Sequence, residues 1–295
     1  MGKNILVFLV AFVLVVGCMG GGDHGYGHGH GHDKVRGHEH GHGDGEGLKM
    51  HYYMNRCRSV LVEETVKDIV WSKVDADPTM AAKLLRLHYH DCFVRVTRDA
   101  VSFQFQREMW PVFTGRKDGR VSLASEVGGN LPSANVNFTT LLTQFGTKGL
   151  NLNDLVTLSG AHTIGISHCT LVSRRLYNFT GKGDADLSLD PAYAQTLRKL
   201  CPNPVNPTTI LEMDPKSSLT FDSDYYRALN QHKGLFVSDA ALLTDRRSAL
   251  VAKFLENPLV FFAQFARSMV KMGGIEVLLG GEGEVRKNCR VVNGQ

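Results

Sequence analysis

Apart from one stretch near its start, the sequence has no long run of apolar residues. Nothing else in it could cross a bilayer as a helix, which takes ~20 predominantly apolar residues. No sign of charge dominates either: 33 basic and 29 acidic residues leave a net charge of +4 over 295 residues. That balance gives no basis for nucleic acid or acidic lipid as a partner. An internal repeat is missing, and so is any alternating apolar–polar pattern long enough for a large sheet, which leaves an all-α class. With 43% hydrophobic residues, a substantial core is still possible.

The exceptional apolar run is Ile5 to Val16, preceded by Lys3 and followed by Gly17, Cys18 and Gly20. A charged start, a short apolar stretch and small residues read as a targeting segment over residues 1–20. The run is too short for a comfortable membrane span, so the remainder is expected to be soluble and in an oxidising compartment. Cleavage would remove Cys18 and leave Cys57, Cys92, Cys169, Cys201 and Cys289. An odd count in a secreted chain signals a missing or intermolecular partner. The sequons Asn137-Phe138-Thr139 and Asn178-Phe179-Thr180 fit the secretory route.

Residues 21–48 are rich in glycine and histidine, with His24, His28, His30, His32, His38, His40 and His42. Such a segment has almost nothing to bury and is expected to be disordered. Its imidazoles could trap zinc, copper or nickel, but a solvated tail is the reading taken. Residues 49–295 read as one domain.

Within it, helical apolar spacing runs from Val60 to Val74. Asp77-Pro78 is a start signal for a helix continuing through Leu84, Leu85 and His88 towards Phe93. Further helices are expected from Asn137 to Lys148, from Asp154 past His162, and between Asn257-Pro258 and Gly273. The last carries Phe261, Phe262, Phe265, Met269 and Met272, a stripe that reads as core. Lys117-Asp118-Gly119-Arg120 reads as a turn and Asn203-Pro204 to Pro207 as a loop.

Two stretches carry chemistry. In Leu84-Leu85-Arg86-Leu87-His88-Tyr89-His90-Asp91-Cys92, helical spacing puts Arg86 and His90 on one face. An imidazole there can take a proton from a peroxide and return it to the leaving oxygen. The guanidinium stabilises the charge that develops as the O–O bond breaks. Taken alone, His88-Tyr89-His90 with Asp91 could also be a hydrolase metal pair, although the helical start signal argues against the strand such a pair favours. In the second stretch, Asp154 to Gly165, His162 sits among apolar and small residues. A lone histidine there is usually a core residue, but Gly160, Ala161 and Gly165 would let a flat ligand approach, and a histidine on that surface can hold haem iron.

Together these stretches resemble the distal and proximal motifs of the secreted plant (class III) haem peroxidases, and the likeness covers nearly everything after Lys49. Further matching pieces are Thr114-Gly115-Arg116-Lys117-Asp118-Gly119, Asn130-Leu131-Pro132, Arg175-Leu176-Tyr177-Asn178-Phe179, Phe221-Asp222, Gly234-Leu235-Phe236-Val237-Ser238-Asp239 and Ser268-Met269-Val270-Lys271-Met272-Gly273. The resemblance implies the plant peroxidase fold, with haem b held between distal and proximal helical halves. It implies His162 as proximal iron ligand, Asp239 as acceptor of its other ring N–H, His90 as distal acid–base and Arg86 as charge stabiliser. Pro132 matches the proline at the aromatic-substrate entrance. Peroxide would oxidise the haem by two equivalents, and phenolic or other small aromatic donors would reduce it one electron at a time. The implied proximal calcium ligands are Thr163, Asp214, Ser217, Thr220 and Asp222, hard oxygen donors of the kind calcium takes. The expected protein is a secreted monomer of the extracellular space, cell wall or vacuole, with no nucleic-acid or membrane partner.

The chain also departs from the family. A segment of several dozen residues expected after Arg95 is absent, so that Arg95 runs almost directly into Val96-Thr97-Arg98-Asp99. The distal half is thereby shortened, and the domain internally truncated near 95–97. Of the distal calcium site only Asp91 and the Val94 carbonyl remain, too few for six to eight oxygens. The asparagine that orients the distal histidine is gone. Cys169 and Cys201 still match a family disulfide, contributing ~3–4 kcal/mol on the loop-entropy model, while Cys57, Cys92 and Cys289 match cysteines whose partners are missing, which leaves them as free thiols or open to mispairing. Two readings therefore stand: a working peroxidase, and a catalytically impaired splice or gene-model variant that keeps haem or metal affinity without turnover.

Overall fold

Side-chain caps fix where several helices begin, because the first N–H groups of a helix have no partner within it. In a computed structural model that describes residues 47–54, 56–57, 61–94, 109–121, 123–288 and 291–294, α1 spans Val62–Ala76 and α2 Thr79–Val94. Asp77 separates them, its Oδ1 accepting from the Thr79 N–H at 3.0 Å. The expected targeting segment, all but the end of the His-rich stretch, the Arg95–Val96 junction, Cys18 and Cys289 lie outside the described residues.

A short α3, Ser125–Asn130, leads through Leu131 and Pro132 to α4, Phe138–Thr147, capped by Asn137. Helix α5, Leu152–Ser159, opens with a reciprocal pair: Asn151 Oδ1 accepts from Asp154 N and Asp154 Oδ2 accepts from Asn151 N. Strand β1, Ile166–His168, pairs antiparallel with β2, Ile210–Glu212, with Ser167 opposite Leu211. Between them lie α6, Cys169–Tyr177, and α7, Pro191–Leu200. The remainder is α8, Asp224–Asn230, α9, Val237–Ala241, α10, Arg246–Phe254, and α11, Pro258–Met272. The architecture is helical, with a single two-stranded sheet among the described residues.

The main core gathers α1, α2, α4, α5, α8, α10 and α11. Helix α11 presents the expected stripe: Phe261, Phe265, Met269 and Met272 are all buried in it, with Phe262 partly buried alongside. A smaller core gathers α6, α7 and the sheet around Val172, Leu176, Leu197 and Leu211. Its two cysteines, Cys169 and Cys201, form the expected disulfide.

Two expectations need correction, and one is decided. The helix from Asp154 does not continue past His162. It ends at Ser159, and Gly160–Thr163 form a 3₁₀ turn. The cause lies far away in sequence: the buried Tyr226 hydroxyl reaches the carbonyls of Val156 and Thr157, both at 3.0 Å. The Gly160 N–H turns instead to Thr157 and Leu158, the tighter bonding of a 3₁₀ end. Next, Lys117 to Arg120 is not a turn but runs along the C-terminal segment, with Asp118 bridging Glu284 and the Lys117 N–H bonded to Leu278 O at 3.0 Å. Of the two open outcomes for Cys57, a free thiol or a new pairing, the structure has the second: Cys57 is disulfide-bonded. Cys92 is free and buried.

Candidate functional site

The 3₁₀ turn carries His162 to a place where its ring is about a third exposed, at 35%, while its partner Asp239 is almost fully buried. Nδ1 lies 2.8 Å from Asp239 Oδ1. A carboxylate only accepts, so the ring donates through Nδ1–H and Nε2 is the nitrogen turned away from Asp239. Tyr225 and Phe236 stand edge-on to the ring, with centroids at 5.9 and 5.4 Å.

Asp239 is fixed from several sides. Its Oδ2 accepts from Phe236 N at 2.8 Å, and its Oδ1 also accepts from the Tyr225 hydroxyl at 3.0 Å. Burial alone would raise its pKa, but attraction to His162 and these hydrogen bonds hold it below the ordinary value. One layer further back, Arg175 is buried and ion-paired to Asp186 at 2.6 Å. Its Nη1 donates to the carbonyls of Gly234, Leu235 and Phe236 at 2.7, 3.0 and 3.0 Å, the residues that lead into α9. Arg175 thus holds the strand of backbone from which Asp239 is presented.

On α2, Arg86 and His90 do meet: Arg86 Nε donates to His90 Nε2 at 3.4 Å. Burial, then the Arg86 charge, lowers the His90 pKa below its ordinary value, which favours the neutral base. His88 points the other way, buried, with Nε2 3.6 Å from Cys92 Sγ. Burial and then Arg116 push its pKa down to about 4. His88 and His90 therefore do not converge, and no group of three His, Cys, Asp or Glu side chains among the described residues could hold a metal ion. The hydrolase metal pair falls on this geometry.

The family description Peroxidase matches residues 95–257, more than half of the chain. Peroxidase 24 of Arabidopsis thaliana is 45% identical, covering 83% of this chain and 87% of the relative. Peroxidase 27 and Peroxidase 56 of the same plant are 41% and 40% identical, again over 83% of this chain and over 92% and 91% of the relatives. The chain belongs to the plant (class III) haem peroxidase family. It is an oxidoreductase that acts on hydrogen peroxide with small-molecule donors.

Haem and calcium are the cofactors implied for a peroxidase of this family. The donor set around His162 fits haem iron: one ring nitrogen is anchored on a buried carboxylate, and the other could hold the iron. The small residues beside it serve differently from the expectation. A Cβ on Gly160 would overlap the Tyr226 hydroxyl and the Phe261 ring, so Gly160 admits protein side chains. Gly165 has φ of +102° and approaches Ala82 on α2, a conformation that favours glycine.

A cation site also fits. Thr163 Oγ1 lies 3.2 Å from Asp214 Oδ2 and 2.9 Å from Asp222 Oδ1. One hydroxyl proton can serve only one of two carboxylates. Asp214 is buried, and burial raises its pKa to about 6, with the Asp222 charge adding to the rise. The Ser217 hydroxyl is near enough to Asp214 to oppose that rise, but meets no partner in good hydrogen-bond geometry. Ser217 N and Thr220 N cap the turn beside it through Asp214 O and Ser217 O. Two carboxylates, spare hydroxyls and a missing positive charge are what a calcium ion would complete. On the distal side Asp91 is buried and Val94 ends α2, without a converging acidic group among the described residues. Pro132 is half-buried in the loop before α4, which is tied to α9 by Ser238 N donating to Ala134 O at 3.0 Å.

Sequence reasoning missed Arg175, Tyr225, Tyr226 and Phe236 as neighbours of the site. Arg175 and Phe236 stood within matching motifs, but no spacing linked any of the four to His162.

Proposed function

We propose that this peroxidase binds haem b through His162 Nε2, with Asp239 holding the Nδ1 proton. The observation that carries this is the 2.8 Å bond from the ring to a buried carboxylate. When bound, haem would supply the redox chemistry for the two-electron reduction of peroxide and the one-electron oxidation of phenolic or other small aromatic donors. The chain's own residues handle protons and charge. His90, neutral because its pKa is lowered, accepts the peroxide proton and returns it to the departing oxygen. Arg86, 3.4 Å from it, offers the fixed positive charge that the breaking O–O bond requires. Pro132 borders the approach of the aromatic donor. Thr163, Asp214, Ser217, Thr220 and Asp222 hold the proximal calcium, while Asp91 and Val94 are the remnant of a distal site that stays empty.

Residues 1–20 are proposed as a cleaved leader and 21–48 as a solvated tail, ahead of a monomeric domain over 49–295 that is exported to the extracellular space, cell wall or vacuole. A segment after Arg95 is proposed to be missing. Supporting this, the alignment with Peroxidase 24 runs over 307 positions, yet 83% of this 295-residue chain is about 245 residues, so about 60 positions have no counterpart here. Sequencing transcripts across the Arg95–Val96 junction tests whether a longer product exists; finding the short form alone would exclude a splicing origin. The impaired variant is the less favoured reading, since Arg86, His90, His162 and Asp239 are all present and each pair is in contact.

The deciding experiment mixes haem-reconstituted protein with hydrogen peroxide and follows the Soret band, with free haemin alongside. The expected result is a fast, saturable shift that slows by ~10²–10⁴-fold in His90→Leu, the usual worth of an acid–base group. A trace no better than free haemin would leave a haem protein that does not turn over.

A further inference from the structure

We propose that Tyr225 is a positioning residue for the proximal histidine: its hydroxyl competes with His162 for one oxygen of Asp239 and so limits how strongly the carboxylate pulls on the imidazole. The inference rests on His162 being the iron ligand. Asp239 Oδ1 accepts from His162 Nδ1 at 2.8 Å and from Tyr225 Oη at 3.0 Å. Both donors draw on the charge of the same atom. Asp239 is 1% exposed and Tyr225 2%, so water does not dilute the competition, and bonds in such a network act on one another more strongly than in solvent.

Packing alone does not account for the hydroxyl. The ring stands edge-on to His162 and to Tyr226, with centroids at 5.9 and 5.0 Å, contacts that phenylalanine would keep. A buried phenol demands a hydrogen-bond partner, and Asp239 is the one it uses. Burial and the nearby carboxylate hold the Tyr225 pKa well above its ordinary value, so it remains a donor across the working pH range. Tyr225 therefore sets a constant level of imidazole basicity and does not switch it.

The test reads the iron–histidine stretching band of the reduced, haem-reconstituted protein by resonance Raman spectroscopy. The band is first identified by its loss in His162→Ala. Tyr225→Phe removes the competitor, so the band moves to higher frequency and the reduction potential becomes more negative. Site-specific 3-fluorotyrosine at position 225, a stronger donor in an unchanged ring, moves the band the opposite way, and it serves if Tyr225→Phe fails to fold. In an Asp239→Asn background, Tyr225→Phe produces no shift. An unmoved band in both position-225 variants overturns the proposal, as does an equal shift in the Asp239→Asn background, which would mark a structural effect. A protein with no band that depends on His162 would overturn the axial-ligand reading itself, and the two failures are thus distinguishable.

Discussion

The two histidines proposed as proximal and distal in this peroxidase are built to different standards. His162 is anchored on Asp239, which is held by Tyr225 and Phe236, and the backbone entering α9 is held in turn by Arg175. Asp239, Tyr225 and Arg175 are buried, and Phe236 is partly so. His90, by contrast, has one polar partner among the described residues, the exposed Arg86 at 3.4 Å. The contrast separates two tasks. Holding iron in place needs a rigid stack of satisfied buried groups, whereas moving a proton needs a base of the right affinity within reach of the peroxide.

Breaking the proximal stack at its base should have the largest effect. Arg175→Ala leaves Asp186 as an uncompensated buried charge, and such changes cost ~3–5 kcal/mol, measurable by denaturant unfolding. Arg86→Ala, on an exposed side chain, should stay within ~0.5 kcal/mol in the same assay. Equal losses would erase the distinction between the halves. One layer closer to the ring, Asp239→Asn keeps the shape but removes the charge that orients His162. Haem affinity or turnover should fall ~10–100-fold, read by haem titration and steady-state rates, with far less loss of fold stability than Arg175→Ala.

The smallest effect sharpens the distal side. Because burial and Arg86 lower the His90 pKa, the base stays neutral at pH values where an ordinary histidine has gained its proton. The acid limb of the peroxide reaction should therefore lie below the ordinary histidine value of ~6.5. Arg86→Leu should slow the reaction and move that limb upward, but only part of the way back to the ordinary histidine value, since burial is the larger cause. A limb that stays in place would remove Arg86 from the electrostatics of His90.

Much of the helical frame was legible because its signals are local. Asp77, Asn137 and Asn257 are caps within a few residues of the helices they start, and the α11 stripe has one period throughout. Arg86 and His90 could be paired from helical spacing alone. His162 and Asp239, 77 residues apart, could be joined only through a family likeness. The hidden features are non-local. The stop at Ser159 is imposed by a hydroxyl about 70 residues away, and small residues there read equally well as helix or as ligand approach. The Cys57 disulfide is hidden for a related reason: the family likeness offers Cys57 no partner in this sequence, and spacing alone does not choose one.

The fixed proton on His162 has a consequence for how the enzyme matures. The nitrogen proposed to bind iron is already turned away from the carboxylate that anchors the ring, and that carboxylate belongs to the folded chain. Little rotational freedom is left for the cofactor to freeze, so the entropic cost of ordering the ligand is met during folding and not at loading. Chain closure and haem insertion are thus separable events. The polypeptide can be folded in one place and charged in another, which suits a protein expected to travel before it works.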